Sequence, residues 1–187
     1  MQYQNILCLG DSQTFGARSY GCYPLYLAQI LTQRTPYQWR AINRSVNGYT
    51  ARDLWFKLNE EIDTISDTFQ ACLLIGTNDV GNGTDPQIFA EYYRQIVRTL
   101  LIKGYKAVVC GTIPPIYADG HVFFPKHTQE RHQIYNNLVR QVVAESERTH
   151  LVELHSLVRE SYVDPVHFNE TGNLHLATLF AETVSTL

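Results

Sequence analysis

The sequence predicts an α/β domain built on one parallel sheet with helices on both faces. Two observations carry this. Short apolar runs of strand length alternate along the chain with longer segments whose apolar residues recur about every four positions. Three of the short runs stop at small or polar turn residues: Gly10-Asp11-Ser12, Gly76-Thr77-Asn78-Asp79 and Gly111-Thr112. Strand and helix repeated in this order imply βαβ units, whose crossovers leave neighbouring strands parallel and helices on either side. At 187 residues the chain is long enough to bury a substantial core as one domain.

Taken in order, the first strand is read at Asn5–Leu9, where "NILCLG" is apolar up to its glycine. The second, Gln38–Asn43, runs into "NRSVNGYT", which puts Gly48 in a turn ahead of a helix. The third is Ala71–Ile75. A helix follows over 86–103, where Ile88/Phe89, Tyr92/Tyr93, Ile96/Val97 and Leu100/Leu101 make one wide apolar face. Pro86 opens its first turn and Gly104 closes it. The fourth strand is Ala107–Gly111. After it comes "IPPIYADGHVFFPKH", 113–127, a long stretch rich in proline and aromatic residues; a functional loop and an ordinary surface excursion are both compatible with it. Ile134, Leu138 and Val142 mark a helix over 128–147, and His150–Leu154 is the fifth strand. The last helix opens at a capping Asn169 with Glu170 in its first turn, and then carries Leu174, Ala177 and Ala181. Neither an internal repeat nor a linker divides the chain, so residues 1–187 read as a single domain.

Composition excludes several function classes. A net charge of −3 with no basic run offers no electrostatic footprint for nucleic acid. No apolar stretch reaches the ~18 residues that a membrane-spanning helix needs. The opening "MQYQNILCLG" lacks a charged segment followed by a long apolar one, so the expected location is cytoplasmic; a secreted chain whose signal has been removed would read the same. Cys8, Cys72 and Cys110 lie inside apolar runs and read as buried thiols, and no Cys-x-x-Cys pair exists. The histidines show no H-E-x-x-H or other strong metal-ligand spacing, so no metal and no cofactor is expected. His121, His127, His132, His150, His155 and His175 read as surface or capping residues.

In a parallel sheet the strand ends listed above share one edge, where ligands bind in folds of this class. Ser12 ends the first strand, and "SYVDPVHFNETG" after the last strand places Asp164 and His167 three apart. A serine hydroxyl becomes a nucleophile only when a base takes its proton, and the base needs an orienting partner. Asp-x-x-His on one loop can set the carboxylate against Nδ1 while Nε2 faces outward, and Pro165 stiffens that loop. The backbone N–H groups of Ser12 and Gly48 and the amide of Asn78 could meet a developing oxyanion. Each residue alone also has an ordinary reading. Ser12 could be a phosphate-binding loop residue or a helix cap, Asp164 a turn residue, His167 a surface residue, and Gly48 and Asn78 turn and capping residues.

Together, "GDSQT", "NGYTARDL", "GTND" and "DPVHFNETGNLHLA" resemble, in order, the four signatures of the SGNH hydrolases, also called GDSL-type esterases and lipases. The resemblance runs from Gly10 to about Ala177. It implies a flavodoxin-like three-layer α/β/α sandwich with a five-stranded parallel sheet. It implies Ser12 as nucleophile, His167 as general base, Asp164 as its orienter, and an oxyanion hole of Ser12, Gly48 and Asn78. Gln13 stands where the family more often has Leu or Ile, and Pro165 where it often has Gly; Asp11 is expected to stabilise the turn. The expected activity is hydrolysis of a small-molecule ester through an acyl-enzyme, with short or soluble acyl esters favoured. Sugar O-deacetylation, lysophospholipase or thioesterase activity, and a non-catalytic binding module, are the alternatives. Tyr117, Phe123 and Phe124 could line an acyl site or stack on a sugar. G-x-S-x-G, G-x-x-x-x-G-K-[ST] and G-x-G-x-x-G are all absent from the chain.

Overall fold

The computed structural model describes residues 2–62, 68–117 and 127–187. Among these, five strands, β1 (Tyr3–Gly10), β2 (Gln38–Asn43), β3 (Thr68–Leu74), β4 (Ala107–Gly111) and β5 (Thr149–Val152), form a parallel sheet in the order β2-β1-β3-β4-β5. This is the doubly wound, flavodoxin-like order, with the switch in direction between β1 and β3.

Each central strand is apolar on both sides because each side is covered. Leu7, Leu9, Ala71, Leu73, Val108 and Cys110 point into one core with α3 (Ala51–Ile62), α5 (Pro86–Ile102) and α6 (Thr128–Val143). Ile6, Cys8, Cys72, Leu74 and Val109 point into the other, with α2 (Tyr23–Arg34) and α7 (Glu170–Val184). Tyr23 and Phe180 stack at 5.0 Å where those two helices meet. Cys8, Cys72 and Cys110 are fully buried free thiols. Two short helices, α1 (Ser12–Phe15) and α4 (Thr77–Asn82), start directly after β1 and β3.

Several element ends differ from the sequence reading. The third strand stops at Leu74, the partner of Gly10, because the chain turns at Gly76. The fifth strand stops at Val152, since the Leu154 N–H donates to the Thr112 hydroxyl, 2.9 Å away, and not to a strand. The helix over 128–147 ends at Val143, where the Thr149 hydroxyl takes that residue's carbonyl oxygen. The last helix is capped where the sequence puts it, the Asn169 side chain accepting from the Gly172 N–H; ahead of Pro86 the structure adds Asp85, which accepts from Gln87 and Ile88. No helix among the described residues is long and apolar enough to cross a membrane.

Candidate active site

The end of β1 is pressed against the neighbouring strand. A Cβ on Gly10 would lie 2.1 Å from the Leu74 carbonyl oxygen, so only glycine fits there. The next residue, Asp11, is fully buried and caps α1: its Oδ1 accepts from the Gln13 N–H at 3.0 Å. Burial pushes the Asp11 carboxyl up to about 7; the Gln13 N–H pulls it back, and nearby Asp79 pushes it further up. This is the turn-stabilising role expected of Asp11. Its effect is to hold Ser12 as the first residue of α1.

From the other end of the chain, Tyr162 and Phe168 form an isolated antiparallel bridge with their rings 4.7 Å apart. Residues 163–167 loop out from it, closed by the Val163 N–H on the His167 carbonyl oxygen. Within the loop, Asp164 Oδ1 accepts from the N–H groups of Val166 and His167 at 2.9 and 2.8 Å. Asp164 Oδ2 lies 2.8 Å from His167 Nδ1, and His167 Nε2 lies 3.0 Å from Ser12 Oγ. With Nδ1–H donating to the carboxylate, Nε2 is left to accept the serine proton. Burial raises the Asp164 carboxyl, but the Val166, His167 and imidazole hydrogen bonds outweigh it, and the net value lies below the ordinary one. That keeps the group ionised beside the imidazole. Arg18, in the left-handed region at φ 64°, adds an exposed ion pair, its Nη1 3.0 Å from Asp164 Oδ2.

The two remaining segments close on the same edge. The Arg44 and Val46 N–H groups donate to the Cys8 and Gly10 carbonyl oxygens, carrying the β1–β2 pairing past the end of β2. The following turn places Gly48 at φ 84° in open space; its backbone conformation, not crowding, calls for glycine. Asn78 Nδ2 donates to the Tyr49 carbonyl oxygen at 2.9 Å, and Asp79 Oδ2 accepts from the Ala51 N–H at 2.9 Å. Adjacent residues of α4 thus pin the turn before α3 at two points. Burial raises Asp79 to about 6.

The structure therefore brings Ser12, His167 and Asp164 into one hydrogen-bonded chain and ties the Gly48 turn to Asn78. Tyr117 borders the 163–167 loop: its hydroxyl donates to the Leu157 carbonyl oxygen, its ring meets Tyr162 edge-on, and its N–H donates to the Pro165 carbonyl oxygen. Phe123, Phe124 and His121 lie outside the described residues. One expectation is corrected. His132 is neither a surface nor a capping residue; α6 packs on the segment after β4, so the ring is half buried with Nε2 at 2.8 and 3.0 Å from the Ile113 and Pro114 carbonyl oxygens. Burial lowers its pKa. Asn136 and Gln129 hold the same segment from the same helix. Sequence reasoning also missed Arg18 on Asp164 and a bond from Gln13 Nε2 to the Val166 carbonyl oxygen at 2.9 Å. Only the adjacency of Gln13 to Ser12 could have pointed there. Among the described residues no cluster of His, Cys, Asp and Glu could hold a metal ion.

Compared with known proteins, residues 8–175 match the GDSL-like Lipase/Acylhydrolase family. No curated protein matches the chain. Solved structures share the fold. A lipase/acylhydrolase from Enterococcus faecalis superposes with TM-score 0.81 at 18% identity, over 98% of this chain and 96% of that one. An acetylxylan esterase from Geobacillus stearothermophilus gives 0.79 at 18%, over 98% and 95%. The acetyl xylan esterase AlAXEase gives 0.77 at 21%, over 96% and 99%.

Proposed function

The chain belongs to the GDSL-like lipase/acylhydrolase family and is an ester-hydrolysing enzyme, and from that premise we propose that it works as a serine esterase through Ser12, His167 and Asp164. The observation that supports this best is the unbroken sequence of contacts from Ser12 Oγ to His167 Nε2 and from His167 Nδ1 to Asp164. In this reading Ser12 Oγ attacks the ester carbonyl carbon as its proton passes to His167 Nε2. The tetrahedral oxyanion is met by the N–H groups of Ser12 and Gly48 and the Asn78 amide. The C–O bond to the alcohol then breaks, and His167 gives the proton to the departing oxygen. A water, deprotonated by His167, cleaves the acyl-enzyme and restores Ser12. Ionised Asp164 stabilises the imidazolium in both halves. The catalytic mutants of the Geobacillus esterase carry alanine for a serine, an aspartate and a histidine, the last two three positions apart in that chain; Asp164 and His167 have the same spacing.

The favoured substrates are short or soluble acyl esters. Acetylated carbohydrate leads among them, since acetylxylan esterases are among the structures that share this fold. Two measurements test the reading. A fluorophosphonate probe adds one phosphonyl group to the wild type and none to Ser12→Ala, as read by intact mass; equal labelling of the two refutes the assignment. A panel of acetylated xylooligosaccharides, longer acyl esters, a lysophospholipid and an acyl thioester then ranks substrates by kcat/KM, with the acetates expected first.

A further inference from the structure

The turn that carries Ser12 and the loop that carries His167 come from opposite ends of the chain, and no strand pairing joins them. Among the described residues, the direct contacts between the two are made by side chains. Besides its closure by Val163 on His167, the 163–167 loop is held by Asp164 within it, by the Tyr117 N–H on Pro165, and by Arg18 on Asp164. The Arg18 guanidinium is 68% exposed, and such pairs are weak and salt-screened. Gln13 makes the buried link. It directly follows Ser12, is 2% exposed, and donates from Nε2 to the carbonyl oxygen of Val166, the residue directly before His167. Its backbone N–H is fixed by Asp11 at the same time. Its Oε1 is buried with no partner among the described residues. A leucine would spare the fold that unsatisfied oxygen, but would leave the Val166 carbonyl without a donor.

We propose that Gln13 is a positioning residue, which sets the distance and direction at which His167 Nε2 meets Ser12 Oγ by holding the backbone on the near side of His167. The proposal rests on the roles given above to Ser12, His167 and Asp164. Proton transfer between fixed groups tolerates little misplacement, and shifts of about 1 Å can cost ~100-fold. Removing the donor therefore acts on the rate with little effect on substrate affinity.

The test compares wild type, Ser12→Ala, Gln13→Leu and Gln13→Glu by rate of fluorophosphonate labelling, by kcat and KM on an activated acetate ester, and by thermal melting. Gln13→Leu is expected to lower both labelling rate and kcat by about 10-fold or more with KM within about threefold. Gln13→Glu separates the hydrogen bond from packing. Its protonated carboxyl can donate to the Val166 carbonyl oxygen and its ionised form repels it, so its labelling rate relative to wild type rises as pH falls. Should Gln13→Leu not fold, that ratio, taken within one variant, carries the test by itself. A ratio that does not change with pH, or a folded Gln13→Leu labelled as fast as wild type, overturns the proposal. Absence of labelling at Ser12 in the wild type overturns the esterase mechanism with it, whereas equal labelling of wild type and Gln13→Leu overturns this inference alone.

Discussion

Asn78 gives an amide hydrogen to the Tyr49 carbonyl oxygen, 2.9 Å away, and so locks α4 to the turn that holds Gly48. A primary amide has two N–H donors, and the Asn78 side chain makes no other hydrogen bond among the described residues. The bond to Tyr49 fixes the plane of the amide and leaves the second donor for a ligand. Asn78→Ala is expected to lose two things at once. The tether should contribute roughly 1 kcal/mol of stability. The oxyanion donor should appear as a ~10²–10³-fold fall in kcat, larger than any change in KM. Asn78→Asp should be at least as harmful to kcat, because it puts an acceptor where negative charge forms. A folded Asn78→Ala enzyme with kcat within about threefold of wild type would remove Asn78 from the oxyanion site.

Arg18 shares Asp164 Oδ2 with the imidazole. Its positive charge opposes the imidazolium that forms during catalysis. Arg18→Gln, which removes the charge and keeps the aliphatic carbons, should therefore move the acid limb of the kcat/KM–pH profile toward higher pH. Because the guanidinium is exposed, the displacement should be well under about one unit and should shrink as salt is raised. Profiles of both proteins at low and high ionic strength measure this; displacement toward lower pH would show that Arg18 acts on the loop by other means.

Asp11 and Asp79 give the fold a definite pH dependence. Both carboxyls are buried and held above the ordinary 3.8, at about 7 and about 6. An acid raised in the folded state keeps its proton after the unfolded chain has lost it. Stability therefore falls as pH rises from about 3.8 to about 7 and is level above that range, as far as these groups are concerned. Asp11→Asn removes the titration and retains an acceptor for the Gln13 N–H. Its Tm should be close to that of wild type near pH 4 and exceed it by a growing margin up to pH 7. A margin that stays constant over this range would mean that Asp11 does not titrate there.

Hydrolysis should survive dialysis against EDTA, since the proposed steps use only Ser12, His167, Asp164 and backbone or amide donors. Activity lost on dialysis and restored by a divalent ion would replace this mechanism with metal-assisted hydrolysis.

By itself, the sequence determined the order of strands and helices, because burial on both faces demands apolar runs and covering helices demand a 3.6-residue repeat, and both patterns are local. It also determined which residue types arrive at the carboxyl edge, because a parallel sheet sends the ends of β1, β3 and β4 there whatever the loops do. Ser12 and Asn78 were visible for that reason, the Asp164/His167 pair by its three-residue spacing after the last strand, and the Asn169 cap because a cap is read within four residues. Only the tertiary structure decided the contacts that aim these groups. The Gln13–Val166 bond spans 153 residues and the Asn78–Tyr49 bond 29; Arg18 meets Asp164 from the far end of the chain, and His132 is turned inward by the segment after β4. The ends of β3 and β5 belong with them, since Ile75 and Leu154 have the composition of strand residues and lack a paired neighbour. Such contacts depend on strand order, on side-chain rotamers and on which backbone groups the sheet leaves unpaired, and no repeat along the chain encodes them.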